Sequence, residues 1–135
     1  MLDCIFCKIV KKEIPADIVY EDENSLAFLD INPVHVGHVL IIPKEHFTNI
    51  YEMRDEIVGD IYKIAKKISC VVKDTMLADG VNIIMNNDKA SGQVVFHAHV
   101  HVIPRFTNDG LEMWHGRSYE EGEKEATVKK IIQAL

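Results

Sequence analysis

Cysteine is scarce in this chain, and an excess of positive charge is missing altogether. Fifteen Lys and Arg stand against 21 Asp and Glu, a formal net charge of -6. The chain therefore presents no basic field for a phosphate backbone, and nucleic acid is not an expected partner. No apolar run approaches the roughly 20 residues needed to cross a bilayer. The first residues show neither the charged head nor the apolar stretch of a secretion signal, so a cytoplasmic protein without membrane contact is expected. Repeats, low-complexity tracts and Pro- or Gly-rich linkers are absent too, the 4 Pro and 7 Gly being scattered singly. With 135 residues, that leaves one folding unit over 1–135, large enough for a single core.

Of the 3 cysteines, Cys4 and Cys7 form a CxxC pair. Without a secretion signal, this spacing favours metal binding or redox chemistry over a disulfide framework. Thioredoxin-type motifs sit between a strand and a helix inside a βαβ unit, and Cys4 lies too near the start for that. Zinc suits the pair better. Cys70 falls near the apolar positions of a helical pattern and reads as a small buried hydrophobe.

Residues 18–20 and 25–29, either side of the polar turn Glu21-Asp22-Glu23-Asn24, read as a hairpin. A strand follows at 38–42, closed by Pro43. Over 55–76, Ile57, Ile61, Ile64, Ala65, Ile68, Val71 and Val72 trace one face of a long helix. Further strands are expected at 81–85 and 94–103, the second ended by Pro104 and the two paired across the loop between them. Ser118-Tyr119-Glu120-Glu121 has the form of a capping box, so a second helix is predicted over about 119–135, with Val128, Ile131, Ile132 and Leu135 on one side. Strands grouped around one long helix imply an α+β domain with a mainly antiparallel sheet.

The most informative stretch is Phe96-His97-Ala98-His99-Val100-His101-Val102. On a strand, alternate side chains share a face, so three imidazoles line one side while Ala98, Val100 and Val102 face the core. One such histidine is explained by packing; three would desolvate polar rings without adding apolar burial. Two chemistries compete for the row. Imidazoles two residues apart can share a zinc ion. Alternatively, a neutral imidazole, abundant near pH 7, attacks phosphorus and later leaves from the phosphoramidate.

These residues resemble the histidine triad of the HIT superfamily. The likeness extends over Cys4-Ile5-Phe6-Cys7, Glu13-Ile14-Pro15-Ala16, Leu26-Ala27-Phe28, Asp30-Ile31-Asn32-Pro33, Gly37-His38, Ile41-Ile42-Pro43-Lys44 and His46, which are similar to the Hint branch. The resemblance implies a HIT-like fold with a five-stranded sheet, one long helix and a C-terminal helix, assembled as a homodimer. It also implies that His99 attacks the α-phosphorus. The carbonyl of His97 would fix the tautomer of His99, His101 would contact the phosphate and the leaving atom, and His38 would support the rings. Phe6, Ile9, Phe28 and Ile31 would enclose the base, Asp30 would accept from the ribose hydroxyls, and Asn86, Gly92 and Gln93 would lie near the phosphate. Val94 occupies a position where relatives often carry a hydroxyl. By the same resemblance, His46 and His97 complete a structural zinc site with Cys4 and Cys7, with no metal needed for the chemistry. Relatives differ most from Phe106 to Trp114, a segment that offers Trp114 or His115 as a residue to reach a neighbouring subunit's site.

The function implied is cleavage at the α-phosphate of a purine nucleoside phosphoramidate or dinucleoside polyphosphate through a nucleotidyl-His99 intermediate. Two rival readings are a nucleotide-binding regulatory protein with weak catalysis and a zinc-dependent hydrolase that uses the three triad histidines as ligands.

Overall fold

The computed structural model describes residues 3–135. Its elements are α1 (Ile5–Val10), β1 (Ile18–Glu21), β2 (Ser25–Leu29), β3 (Val39–Pro43), α2 (Asp55–Thr75), β4 (Gly80–Ile84), β5 (Val100–Arg105) and α3 (Glu123–Ala134). The strands form one open sheet in the order β1-β2-β3-β5-β4, antiparallel at every step. This is the expected α+β architecture, with β4 and β5 paired as predicted. No helix among the described residues is long and apolar enough to cross a membrane.

Strand alternation divides the core into two layers. Val39, Ile41, Val100 and Val102 face α2, which buries Ile57, Ile61, Ile64, Ala65, Ile68 and Val72 against them. Leu26, Phe28, Leu40 and Ile42 face the other way and are covered by Phe6 and Ile9 of α1. At six residues, α1 is too short to show a period. Cys4 caps it, its Sγ accepting from the Cys7 amide at 3.5 Å.

Three sequence expectations need correction. The strand predicted at 94–103 begins at Val100 and runs through Pro104 to Arg105. Val100 pairs with Ile41, which brings Ala98 opposite Pro43. Proline has no amide to continue that ladder, and the Ala98 amide turns to the Phe47 carbonyl at 2.7 Å. Pro104 is tolerated because the β3 ladder has ended at Val39–Val102. Cys70 is exposed, since at about 100° per residue it points roughly opposite to buried Ile68 and Val72. Ser118 caps nothing. Gly122, at φ +75°, precedes α3, and Glu123 accepts from the Glu120 amide at 3.0 Å while Arg117 forks onto its carboxylate at 2.7 and 2.9 Å. The helical period of α3 is present, yet Val128, Ile131 and Ile132 stay more than half exposed.

Candidate active site

Although His97 and His99 precede the strand proper, the alternation persists through them. Ala98 joins the α2 layer, while His97, His99 and His101 lie on the opposite face beside Phe6, whose ring stands edge-on to His97 at 5.8 Å and to His99 at 5.2 Å between centroids. Each ring is held through one nitrogen. His97 Nε2 meets the Pro43 carbonyl at 2.8 Å, and His99 Nδ1 meets the His97 carbonyl at 2.7 Å. A carbonyl only accepts, so both nitrogens carry hydrogen, leaving His97 Nδ1 and His99 Nε2 with lone pairs in the neutral rings. His101 Nδ1 lies 2.9 Å from His38 Nε2.

His99 and His101 form one wall of a cavity of about 420 Å³. Phe6, Ile9, Phe28, Asp30, Ile31, Asn86 and Gly92 line it, with Ile14, Leu40 and Val95 in addition. Ile31, 92% exposed, sits at the rim. Asp30 closes a local turn by accepting from the Asn32 amide at 2.8 Å, and its other oxygen lies 3.6 Å from His38 Nε2. Gly92 takes φ +102°, a conformation that favours glycine. Val94 is 83% exposed at the cavity edge and offers no hydrogen bond there. His38 and His97 lie behind this wall, outside the cavity lining.

Gln93 is placed differently from the expectation. It is buried, and its amide is spent within the protein: Nε2 donates to the carbonyls of Thr48 at 2.6 Å and Val95 at 3.1 Å, and Oε1 accepts from the Asp88 amide at 2.7 Å. It does not line the cavity. Sequence reasoning also missed Asn49, which donates to the Asp88 carboxylate at 3.0 Å and caps the 3₁₀ turn that follows by accepting from the Tyr51 amide at 3.1 Å. Asn49 placed immediately before Ile50 was the available signal, because Asn favours N-caps.

Cys4, Cys7, His46 and His97 present ligand atoms within 4.8 Å of one another. Cys4 Sγ lies 3.4 Å from His97 Nδ1, and Cys7 Sγ lies 3.3 Å from His46 Nδ1 and 3.6 Å from His97 Nδ1. Zinc bonds of about 2.3 Å to sulfur and 2.0–2.1 Å to nitrogen at tetrahedral angles imply S–N separations of roughly 3.6 Å. The donors therefore fit a closed zinc site, and the Pro43 carbonyl on His97 Nε2 supplies the outer contact that such ligands require. Burial and the neighbouring Cys4 push the Cys7 thiol up, so a cation would displace a proton there. The rings that a catalytic zinc would need together are divided: Asp30, His38 and His101 form a separate group, and His99 belongs to neither.

Burial lowers the proton affinity of His38, His46 and His99, and pushes His97 and His101 to about 4. At His101 the neighbouring His99 and His38 add to the effect. The rings are thus neutral near pH 7. An unfolded histidine titrates near 6.5, so as pH falls from about 6.5 towards 4 the unfolded chain takes up a proton that folded His101 refuses. Stability should fall across that window, by on the order of 2 kcal/mol from this half-buried ring. Urea unfolding at pH 7 and 4.5 checks this, with a smaller difference expected in His101→Gln; an identical difference in the two proteins would contradict it.

A model of the HIT domain matches residues 11–108. An uncharacterised HIT-like protein of Borreliella burgdorferi is 51% identical over 113 residues, covering 82% of this chain and 81% of its own. An adenosine 5'-monophosphoramidase of Candida albicans is 42% identical over 106 residues, covering 76% and 70%. Among solved structures, a HIT family protein from Bacillus subtilis has a TM-score of 0.91 at 39% identity, over 98% of this chain and 97% of that one. A zinc-bound histidine triad protein from Mycobacterium smegmatis has a TM-score of 0.79 at 36% identity, over 99% of both. The matched span holds the histidine row, His38, His46 and Asp30 together, and by this measure the chain belongs to the histidine triad (HIT) family.

Proposed function

We propose that the protein binds a purine nucleotide in the 420 Å³ cavity and cleaves the bond between its α-phosphorus and a leaving amine or phosphate. The observation that carries this reading is the 2.7 Å bond from His99 Nδ1 to the His97 carbonyl, which leaves the Nε2 lone pair for attack in the cavity that Asp30 also lines. In the first step Nε2 bonds to phosphorus, and the leaving group departs with its electron pair. A leaving amine takes a proton from water at the open mouth as the P–N bond breaks, and the hydroxide left behind is neutralised by the proton released in the second step. The imidazolium so formed is stabilised by the same carbonyl. Water then attacks the phosphorus and releases the monophosphate, neutral His99 and a proton to solvent. His101 contacts the phosphoryl group, and Phe6, Ile9 and Phe28 pack against the base.

The Candida albicans relative, a monophosphoramidase, favours a phosphoramidate as the preferred substrate. Comparing kcat/KM for adenosine phosphoramidate, dinucleoside polyphosphates and adenylyl sulfate tests this. Absence of turnover on all three would leave a nucleotide-binding protein without this chemistry. Asp30→Ala should raise KM for ribonucleotides about tenfold and for 2′,3′-dideoxy analogues much less, because only the former present hydroxyls to its carboxylate. Equal changes would remove Asp30 from the ribose.

Zn²⁺ is assigned to Cys4, Cys7, His46 and His97, supported by the donor spacing and by the zinc-bound relative. There it would tie the start of α1 to the triad segment and supply no chemistry. A homodimer is part of the same proposal, and the exposed Val128, Ile131 and Ile132 of α3 are apolar surface available for such pairing.

A further inference from the structure

Thr48, Asn49 and Ile50, consecutive in the chain, each make a hydrogen bond to the loop that follows β4. The Thr48 carbonyl accepts from Gln93 Nε2 at 2.6 Å, Asn49 Nδ2 donates to the Asp88 carboxylate at 3.0 Å, and the Ile50 amide donates to Asn87 Oδ1 at 2.8 Å. The middle rung is unlike the others. Asp88 has φ +70° and ψ 161°, a backbone conformation open to glycine and costly for a residue with a Cβ. It precedes the 3₁₀ turn Lys89–Ser91, where a carboxylate ordinarily accepts from the first amides of the turn, yet it makes no such bond. Its side chain turns instead to Asn49, which is buried and has its own Oδ1 committed to the Tyr51 amide at 3.1 Å. The strained backbone is fully engaged. The Asp88 amide donates to Gln93 Oε1 at 2.7 Å, and its carbonyl accepts from the Ser91 and Gln93 amides at 3.2 and 3.3 Å.

The other side of this loop faces the cavity. Asn86 and Gly92 line it together with His99 and His101, whereas Asn49 and Asp88 stand outside the lining. A Cβ added to Gly92 would lie 3.7 Å from Asn86 Nδ2, so the two ends of the loop sit side by side at the wall. We propose that Asn49 and Asp88 are positioning residues: the bond between them pins loop 86–93 in a strained conformation that presents Asn86 and the Gly92 backbone to the bound nucleotide. The inference rests on the nucleotide site proposed above and assigns to two residues outside that site the task of holding its wall in shape. Strain gives the pin its leverage. With the side-chain bond gone, residue 88 relaxes towards negative φ, which turns its amide from Gln93 Oε1 and lets Asn86 swing away. His99 keeps its own anchor on the His97 carbonyl at 2.7 Å, so the loss falls on nucleotide binding and not on attack.

Amide hydrogen exchange by NMR on the full-length protein without nucleotide reads the pin directly. In Asp88→Ala, which removes the acceptor and keeps the strain, the amides at positions 50 and 88 should exchange roughly tenfold faster or more, with that of Ala98 unchanged. AMP affinity by calorimetry and KM for adenosine phosphoramidate should both weaken by about tenfold, with kcat within about threefold. Asn49→Asp keeps the acceptor for the Tyr51 amide but sets carboxylate against carboxylate, and should act in the same direction. Adding Asp88→Asn to it exchanges donor and acceptor across the pair, and should restore protection and AMP affinity to within about threefold of the wild type. A merely structural role would lower thermal stability and kcat in step, with no repair by the exchanged pair. Unchanged exchange at positions 50 and 88 in Asp88→Ala overturns the pin whether or not the protein binds nucleotide, which separates its failure from that of the proposed function. Faster exchange with unchanged AMP affinity overturns the positioning role. Asp88 is exposed, so Asp88→Ala should fold. If Asn49→Asp does not, the comparison of Asp88→Ala with Asp88→Asn, which keeps an acceptor for Asn49, decides, and equal AMP affinity in those two overturns the proposal.

Discussion

His99→Ala should lower kcat by on the order of 10⁴-fold or more while nucleotide affinity changes only a few-fold. The separation follows from geometry. In the proposed mechanism the ring supplies the attacking Nε2, whereas affinity would come from parts that the substitution leaves in place: Asp30 with one oxygen unspent in its local turn, and Phe6, Ile9 and Phe28 of the cavity lining. His99 is 6% exposed and packs against Phe6, so its removal opens a small space without leaving a buried polar partner stranded. The His97 carbonyl loses its hydrogen bond and gains access to water from the cavity. Intact-mass spectrometry after a quench without acid should find a nucleotide monophosphate adduct on the wild type and none on His99→Ala. Substantial turnover in the folded variant would mean that another group, or water, attacks phosphorus.

Loss of the proposed zinc site should have the largest effect on stability and a small one on chemistry. Cys7→Ser, or treatment with a strong chelator, should lower Tm by on the order of 10 °C together with zinc content, while kcat stays within about tenfold at a temperature where the protein is folded. A helix as short as α1 is not stable alone. It stays in place through the burial of Phe6 and Ile9 and through the cluster at its start, where Cys4, Cys7, His46 and His97 meet. Without the cation the thiols regain protons and the cluster contributes little. The triad segment keeps its other anchors, the Pro43 carbonyl on His97 and the Phe47 carbonyl on the Ala98 amide, so His99 remains oriented. A collapse of kcat in a folded, zinc-free protein would show that the metal takes part in the reaction.

Each feature of the fold and site is legible in the sequence only as far as it leaves a local signal there. Alternation in residues 97–102 placed the imidazoles on one face and the aliphatic residues on the other, because a period of two survives in extended chain even where the ladder stops. Where the ladder begins was not legible, since it depends on Pro43 arriving opposite Ala98 from another strand. The face of α2 was plain at Ile57, Ile61, Ile64 and Ile68, yet Cys70 was placed inward by its nearness to them and not by its angle about the axis. The helical spacing of Val128, Ile131 and Ile132 in α3 was legible, but burial was not, because periodicity states which residues share a side and not what covers it. Cys4 and Cys7 were visible as a pair by spacing alone, whereas His46 and His97 came from family resemblance. Least legible were groups whose role lies in long-range pairing, such as Gln93, whose amide is consumed by Thr48, Val95 and Asp88.

The proposed reaction depends on a covalent bond between His99 and the nucleotide, and the stereochemical course at phosphorus tests it most directly. Hydrolysis of a nucleoside phosphoramidate carrying a chiral α-thiophosphate in ¹⁸O-labelled water proceeds with net retention if two in-line displacements occur, first by His99 Nε2 and then by water. Retention is the predicted result. Inversion would mean a single displacement by water, and would contradict the nucleotidyl-histidine intermediate.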